Sequence, residues 1–188
     1  MKKLKTNIEK LLKENNIRYE FIPLPEDIAM DVDVHMKFHG KNLRNAMPNM
    51  VFRTEKGLIV AQRRGDTEID NKKLKQLLGI QRLSLASKED LDNLELEPGL
   101  VPPTGYNLKF YMDKKVLEND EVYTGSGDRL FALKINPRDL VKLNNAIVAD
   151  FTAFEVGNRK RVYSGIRATG RLHLGNYLVA VKGMLALQ

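Results

Sequence analysis

At 188 residues, 43% of them apolar, the chain is long enough to bury one sizeable core and the beginning of a second domain. It has no cysteine, which excludes a disulfide framework, a thiolate metal site and a cysteine nucleophile. Five of the seven net positive charges sit in the last 38 residues, which carry six Lys/Arg against Glu155 alone. No run approaches the ~18 apolar residues of a membrane span, and Met1-Lys2-Lys3-Leu4-Lys5 opens no signal-peptide core, so a cytoplasmic protein without a membrane partner is expected.

Thr6 to Asn15 has a capping residue and apolar positions 8, 11 and 12, which predicts a short amphipathic helix. A strand over Ile17–Ile22 follows, broken by Pro23 and Pro25. Spacing over Ile28–Leu43 is closer to helix than strand, and a helix is expected from about Asp33. His35 and His39 stand four apart, a spacing that can hold a metal, but no third ligand declares itself and a solvated helix face is the better reading.

Asn49–Thr54 and Gly57–Gln62 read as a hairpin around the polar turn Glu55-Lys56-Gly57. Asp70 caps a helix over Lys72–Leu78 that Gly79 stops, and Lys72, Lys73 and Lys75 read as its solvated face. Arg82–Ala86 is a strand, and Ser87 opens a helix over Lys88–Leu94 with Glu89 and Asp90 in its first turn, where the helix dipole favours negative charge.

Glu97–Gly105 is too rich in proline and glycine to be regular, so its backbone groups are held outside any ladder and can face a ligand. Strands follow at Lys109–Met112, Glu121–Thr124 and Leu130–Ile135, the last two separated by Gly125-Ser126-Gly127-Asp128, which reads as a tight turn. Asn136-Pro137 starts a helix to Leu143, and Ala146–Phe151 closes as a strand. The fold class is therefore α+β with a mixed sheet over residues 1–151, a linker at 152–158, and a separate C-terminal piece at 159–188.

In that piece an apolar run, Arg161–Ile166, leads through a glycine-bearing loop into a helix starting near Leu174, a strand, loop and helix suited to a nucleotide phosphate. The segment resembles the opening of the catalytic domain of tryptophanyl-tRNA synthetase, a class I enzyme, with His173-Leu174-Gly175-Asn176 where that family has its HIGH signature. The resemblance makes Thr169, Gly170, His173, Gly175 and Asn176 candidate ATP-contacting residues. The family usually has Gln-Pro at Arg167-Ala168 and Gly at Val179. A complete Rossmann-type sheet and a KMSKS loop do not fit before Gln188, so ligase activity and ATP are expected only with a complete synthetase domain. The apolar face of Leu178, Val181, Met184 and Leu185 predicts self-association through residues 159–188.

Asp70 before a lysine-rich helix, Leu83-Ser84-Leu85-Ala86-Ser87 before an acidic one, and Gly99-Leu100-Val101-Pro102-Pro103 follow in the order of the YbaK/prolyl-tRNA editing domain family, which residues 5–150 resemble. The resemblance implies hydrolysis of the ester of mischarged aminoacyl-tRNA, without a metal or cofactor, with tRNA and amino acid as partners. It implies that the loop bearing Gly99 and Pro103 forms the editing pocket and makes Asp70, Gly125, Gly127 and Asp128 the candidate substrate-binding residues. Active members usually carry a lysine where this chain has Pro48, which leaves Lys41 as the nearest basic candidate. The alternatives are an aminoacyl-tRNA-binding module that does not cleave, and the N-terminal piece of a complete tryptophan-tRNA ligase.

Overall fold

The computed structural model describes residues 2–25, 36–37 and 40–155, all within the first of the two units into which the chain divides, Met1–Val156. The candidate ATP-contacting residues, the self-associating face, His35 and His39 lie outside the described residues.

Helix α1 runs Lys2–Glu14. It passes through Thr6, the expected cap, because residues 2 to 5 contain no helix breaker. Its apolar stripe buries Ile8 and Leu12 completely. Strand β1, Tyr19–Pro23, follows. The helix expected from Asp33 to Leu43 is helical at Met36 and Lys37, but Gly40, at φ +62°, ends it. The Gly40 N–H donates to the Lys37 carbonyl and the Lys41 N–H to that of Met36, a Schellman close, so Lys41 lies beyond the helix.

The hairpin forms as its pattern demands: β2, Asn49–Thr54, pairs antiparallel with β3, Gly57–Gln62, from Thr54 opposite Gly57 to Asn49 opposite Gln62. A short β4, Thr67–Ile69, precedes α2, Asn71–Leu78. The Asp70 carboxylate accepts from the Lys72 and Lys73 N–H groups, and Gly79, at φ +60°, closes the helix. Strand β5, Leu83–Leu85, leads to α3, Lys88–Asn93, entered through a reciprocal capping box between Ser87 and Asp90. Then come β6, Lys109–Asp113; β7, Val122–Gly125; β8, Phe131–Ile135; α4, Pro137–Asn144; and β9, Ile147–Ala149.

The single strand expected over Ala146–Phe151 is instead β9 and, after a break, β10, Thr152–Glu155. The break falls where the Asp113 carboxylate turns the chain by accepting the Phe151 and Thr152 N–H groups, 2.9 and 3.1 Å away. Strand β10 occupies the first part of the segment read as a linker and pairs antiparallel with β4.

A five-stranded mixed sheet has the order β5-β2-β3-β6-β9, with β3, β6 and β9 parallel and the hairpin strands antiparallel. A second, antiparallel sheet has the order β1-β8-β7. The segment leading into β2 bridges to β7 of this second sheet, Ala46 beside Tyr123. Ile8 and Leu12 pack with Met47, Met112, Val122, Leu133 and Leu140 between the two sheets. On another face of the large sheet Phe52, Ile59 and Tyr111 pack on Leu74 and Phe151.

Candidate editing pocket

Where the loop after α3 meets the ends of β2 and β7, the chain leaves a cleft with about 160 Å³ open to water. Its walls are apolar: Leu24, Met36 and Met47 on one side, Leu100 and Val101 on another, Phe131 and Ala132 on a third. Polar groups enter at few points, from Asn49, Thr124, Asp128 and Arg129, the composition expected of a site for a small ligand.

The loop segment Gly99–Pro103 is held by side chains rather than by a ladder. The Val101 carbonyl accepts from Asn49 Nδ2 at 2.8 Å, that of Pro102 from the Tyr106 hydroxyl at 2.7 Å, and that of Pro103 from Gln62 Nε2 at 3.1 Å and Asn144 Nδ2 at 2.8 Å. Burial pushes the Tyr106 phenol far above its ordinary pKa, so it stays a proton donor at any physiological pH. Asn49 is the junction: its Nδ2 also donates to Thr124 Oγ1 at 2.7 Å and its Oδ1 accepts from Gln62 Nε2 at 3.0 Å. At Gly125 a Cβ would stand 2.7 Å from the Val101 carbonyl oxygen, so only glycine lets β7 lie this close to the loop. Gly99, at φ +81°, supplies the left-handed turn that starts it.

Gly99, Gly125 and Asp128 thus meet in one cleft. Asp128 is buried, and one of its carboxylate oxygens accepts the Leu130 N–H at 3.0 Å. The turn around it is locked by the buried Ser126 hydroxyl, which donates to the Phe131 carbonyl at 2.6 Å and accepts the Asp128 N–H at 3.1 Å. Arg129, on the wall, is ion-paired with Glu97.

Four candidates stand elsewhere. Pro103 anchors the loop from beneath through its carbonyl and does not line the cleft. Gly127 faces a separate groove with Pro98 and Lys88. Asp70 caps α2 through one carboxylate oxygen, its own N–H donates to the Phe151 carbonyl, and it does not line the cleft. Lys41 is exposed and outside the lining, whereas Pro48 is in the wall, bringing neither charge nor N–H. Among the described residues no group of three or more His, Asp or Glu could hold a metal ion, and no helix is long and apolar enough to cross a membrane.

Asn49, Gln62, Tyr106, Thr124 and Asn144 were not singled out from the sequence. One signal existed: hairpin register sets Asn49 opposite Gln62, two amides where strands usually pair apolar residues.

Comparison with known proteins bears on the family and the fold. Residues 28–143 match the family model of the aminoacyl-tRNA editing domain, and residues 155–188 that of class I tRNA synthetases for tryptophan and tyrosine. A Bacillus subtilis protein, YwhH, of uncharacterized function, is 29% identical over 145 residues, covering 74% of this chain and 88% of its own. A proline–tRNA ligase from Exiguobacterium sibiricum is 35% identical over 74 residues, but the match spans only 13% of that enzyme and 39% of this chain. A crystal structure of a candidate trans-editing enzyme for prolyl-tRNA synthetase superposes with a TM-score of 0.71 at 24% identity, over 80% of this chain and 97% of that one, which establishes the shared fold. The mixed-sheet unit that builds the cleft therefore has a recognised lineage, and the chain belongs to the aminoacyl-tRNA editing domain family.

Proposed function

We propose that the cleft takes the aminoacyl end of a mischarged tRNA and hydrolyses its ester. The observation that carries this reading is the tethering of the loop carbonyls of Val101, Pro102 and Pro103 beside an apolar wall and a buried carboxylate. A wall whose backbone is already fixed positions a small group with little further loss of entropy.

In this reading the Asp128 carboxylate receives the α-ammonium of the amino acid, and the apolar walls take its side chain. The Thr124 hydroxyl, whose oxygen accepts from Asn49, keeps its proton to donate to the ester carbonyl as negative charge develops there. Water adds to the carbonyl carbon; the ester C–O bond breaks, the ribose oxygen leaves with a proton, and free amino acid and tRNA result. No metal or cofactor takes part. ATP enters the reading only through a complete class I domain downstream of residue 155.

The family makes aminoacyl-tRNA the substrate class; which tRNA is edited is the finer question. The similarity to proline–tRNA ligases and to the trans-editing structure directs the first test to tRNA(Pro) charged with non-cognate amino acids. Release of amino acid faster than in buffer supports the reading, and no acceleration for any member of a full mischarged panel overturns it. Asp128→Asn is expected to raise KM about tenfold through loss of a charge-assisted contact. Pro48→Lys, which adds an ammonium to the wall, is expected to raise kcat/KM about tenfold, or about 1.4 kcal/mol of transition-state stabilisation.

Pro48 favours a second reading, in which residues 1–151 hold aminoacyl-tRNA without cleaving it. Tighter binding of aminoacylated than of uncharged tRNA with no turnover is its signature. Self-association through residues 159–188 and a cytoplasmic location remain part of the proposal, checked by light scattering of the whole chain and by fractionation.

A further inference from the structure

Gln62 ends β3 with no exposed surface, out of reach of any ligand in the cleft. Its Nε2 nevertheless donates to both Asn49 Oδ1 and the Pro103 carbonyl. Asn49 Nδ2 in turn donates to the Val101 carbonyl and to Thr124 Oγ1. One buried amide thus sets the orientation of a second, and the pair ties both ends of the stretch Val101–Pro103 and the hydroxyl beside it to the central hairpin. The amide orientations are fixed by the partners: Gln62 Nε2 faces two acceptors, and reversing it would set oxygen against oxygen. Gln62 Oε1 is buried with no partner among the described residues.

An apolar side chain of the same length would leave Asn49 Oδ1 without this donor and the Pro103 carbonyl held by Asn144 alone. The donor is what the position supplies. We infer that Gln62 is a positioning residue for the editing pocket: through Asn49 it holds the Gly99–Pro103 wall and Thr124 in the arrangement that receives the aminoacyl group. This inference rests on the reading of the cleft as an aminoacyl site.

Gln62→Met keeps the length and removes the donor, and Tyr106→Phe removes only the hydroxyl tie to Pro102. Leu74→Ala serves as the control for destabilisation alone, since Leu74, on the buried side of α2, packs with Phe52 and Phe151 and does not line the cleft. In Gln62→Met the backbone amides of Gly99, Leu100, Val101, Thr104 and Gly105 are expected to exchange with solvent about tenfold faster, while those paired within β2 and β3 keep their rates. KM for the mischarged ester is expected to rise about tenfold because a displaced wall weakens binding, and kcat to fall as well because Thr124 shifts from the ester carbonyl. Tyr106→Phe should move both readouts the same way by less, and Leu74→Ala should move neither KM nor loop exchange selectively.

Exchange at these loop amides unchanged in Gln62→Met, or KM no higher than in Leu74→Ala, overturns the inference. If the wild type hydrolyses no ester, the editing reading fails. The inference is then judged by affinity for an amide analogue of aminoacyl-adenosine: weaker binding by Gln62→Met than by Leu74→Ala upholds it, and equal binding sinks it.

Discussion

Single residues decide how closely the backbone segments around the cleft approach one another. Gly125 is one: a methyl group there would stand 2.7 Å from the Val101 carbonyl oxygen, and the neighbour it meets is backbone, which cannot rotate away. Gly65 is another, with a Cβ 2.5 Å from the Leu43 carbonyl oxygen, where the chain carries Ala46 and Met47 towards the wall. Gly125→Ala is expected to destabilise the unit by about 1–3 kcal/mol through overpacking and to weaken aminoacyl binding with it, measured by urea denaturation and by KM. Gly65→Ala should show the stability loss first.

Asp150 gives a residue-scale prediction of a different kind. Hydrogen bonds and charge from Lys114, and then from Lys73, hold its carboxyl down at about 2 from an ordinary 3.8. A depressed carboxylate stabilises the fold at pH above its unfolded value, and that contribution is lost as pH falls through the folded one. Between about pH 4 and 2 the wild type should therefore lose more stability than Asp150→Asn, read as the shift of the urea midpoint; the group is largely exposed, so solvent keeps the effect small.

Elements with local signals were legible in the sequence. Asp70 and Gly79 bracket α2, Ser87 and Asp90 open α3, and the hairpin of β2 and β3 appears residue for residue, because caps and turns are decided by neighbours a few positions apart. Ser87→Ala is expected to remove about 1 kcal/mol of stability, read from the denaturation midpoint, since it breaks both halves of the capping box. Leu74→Ala, which empties a fully buried position on α2, should remove about 2–5 kcal/mol. Elements set by distant partners were not legible. Strand β4 is three residues with no alternation to find, and it exists because β10 lies beside it. Lys41 entered as the basic candidate because Pro48 stands where active relatives carry a lysine; Gly40 ends the turn before it, and Lys41 lies outside the cleft lining.

At the scale of the molecule, mixed topology brings the cleft together from parts far apart in the chain. The loop after α3, the start of β2 and the end of β7 meet there because β3 and β6 run parallel while the hairpin and the β1-β8-β7 sheet are antiparallel. Gly99, Gly125 and Asp128, which line the cleft, could be named from the sequence because their loops are conspicuous. The amides that tether those loops were not, because a buried glutamine differs from a surface one only in what the fold brings to it. Asp70 shows the converse: a residue conspicuous by its place before a helix caps that helix through one carboxylate oxygen and lies outside the cleft lining.

Strand β10 decides where this polypeptide tolerates being cut. It completes β4, and the residues leading into it are gripped by the buried Asp113, by the carbonyl of Phe151 accepting from Asp70, and by Phe151 itself in the core. A chain ended at residue 151 would strip the partner from β4 and lose the Thr152 N–H that Asp113 holds, while one ended at 156 keeps every one of these contacts. The shorter piece should melt at lower temperature and be nicked sooner by protease between β4 and α2, which makes the last residues of the unit a closure of the fold and moves its true edge past Glu155.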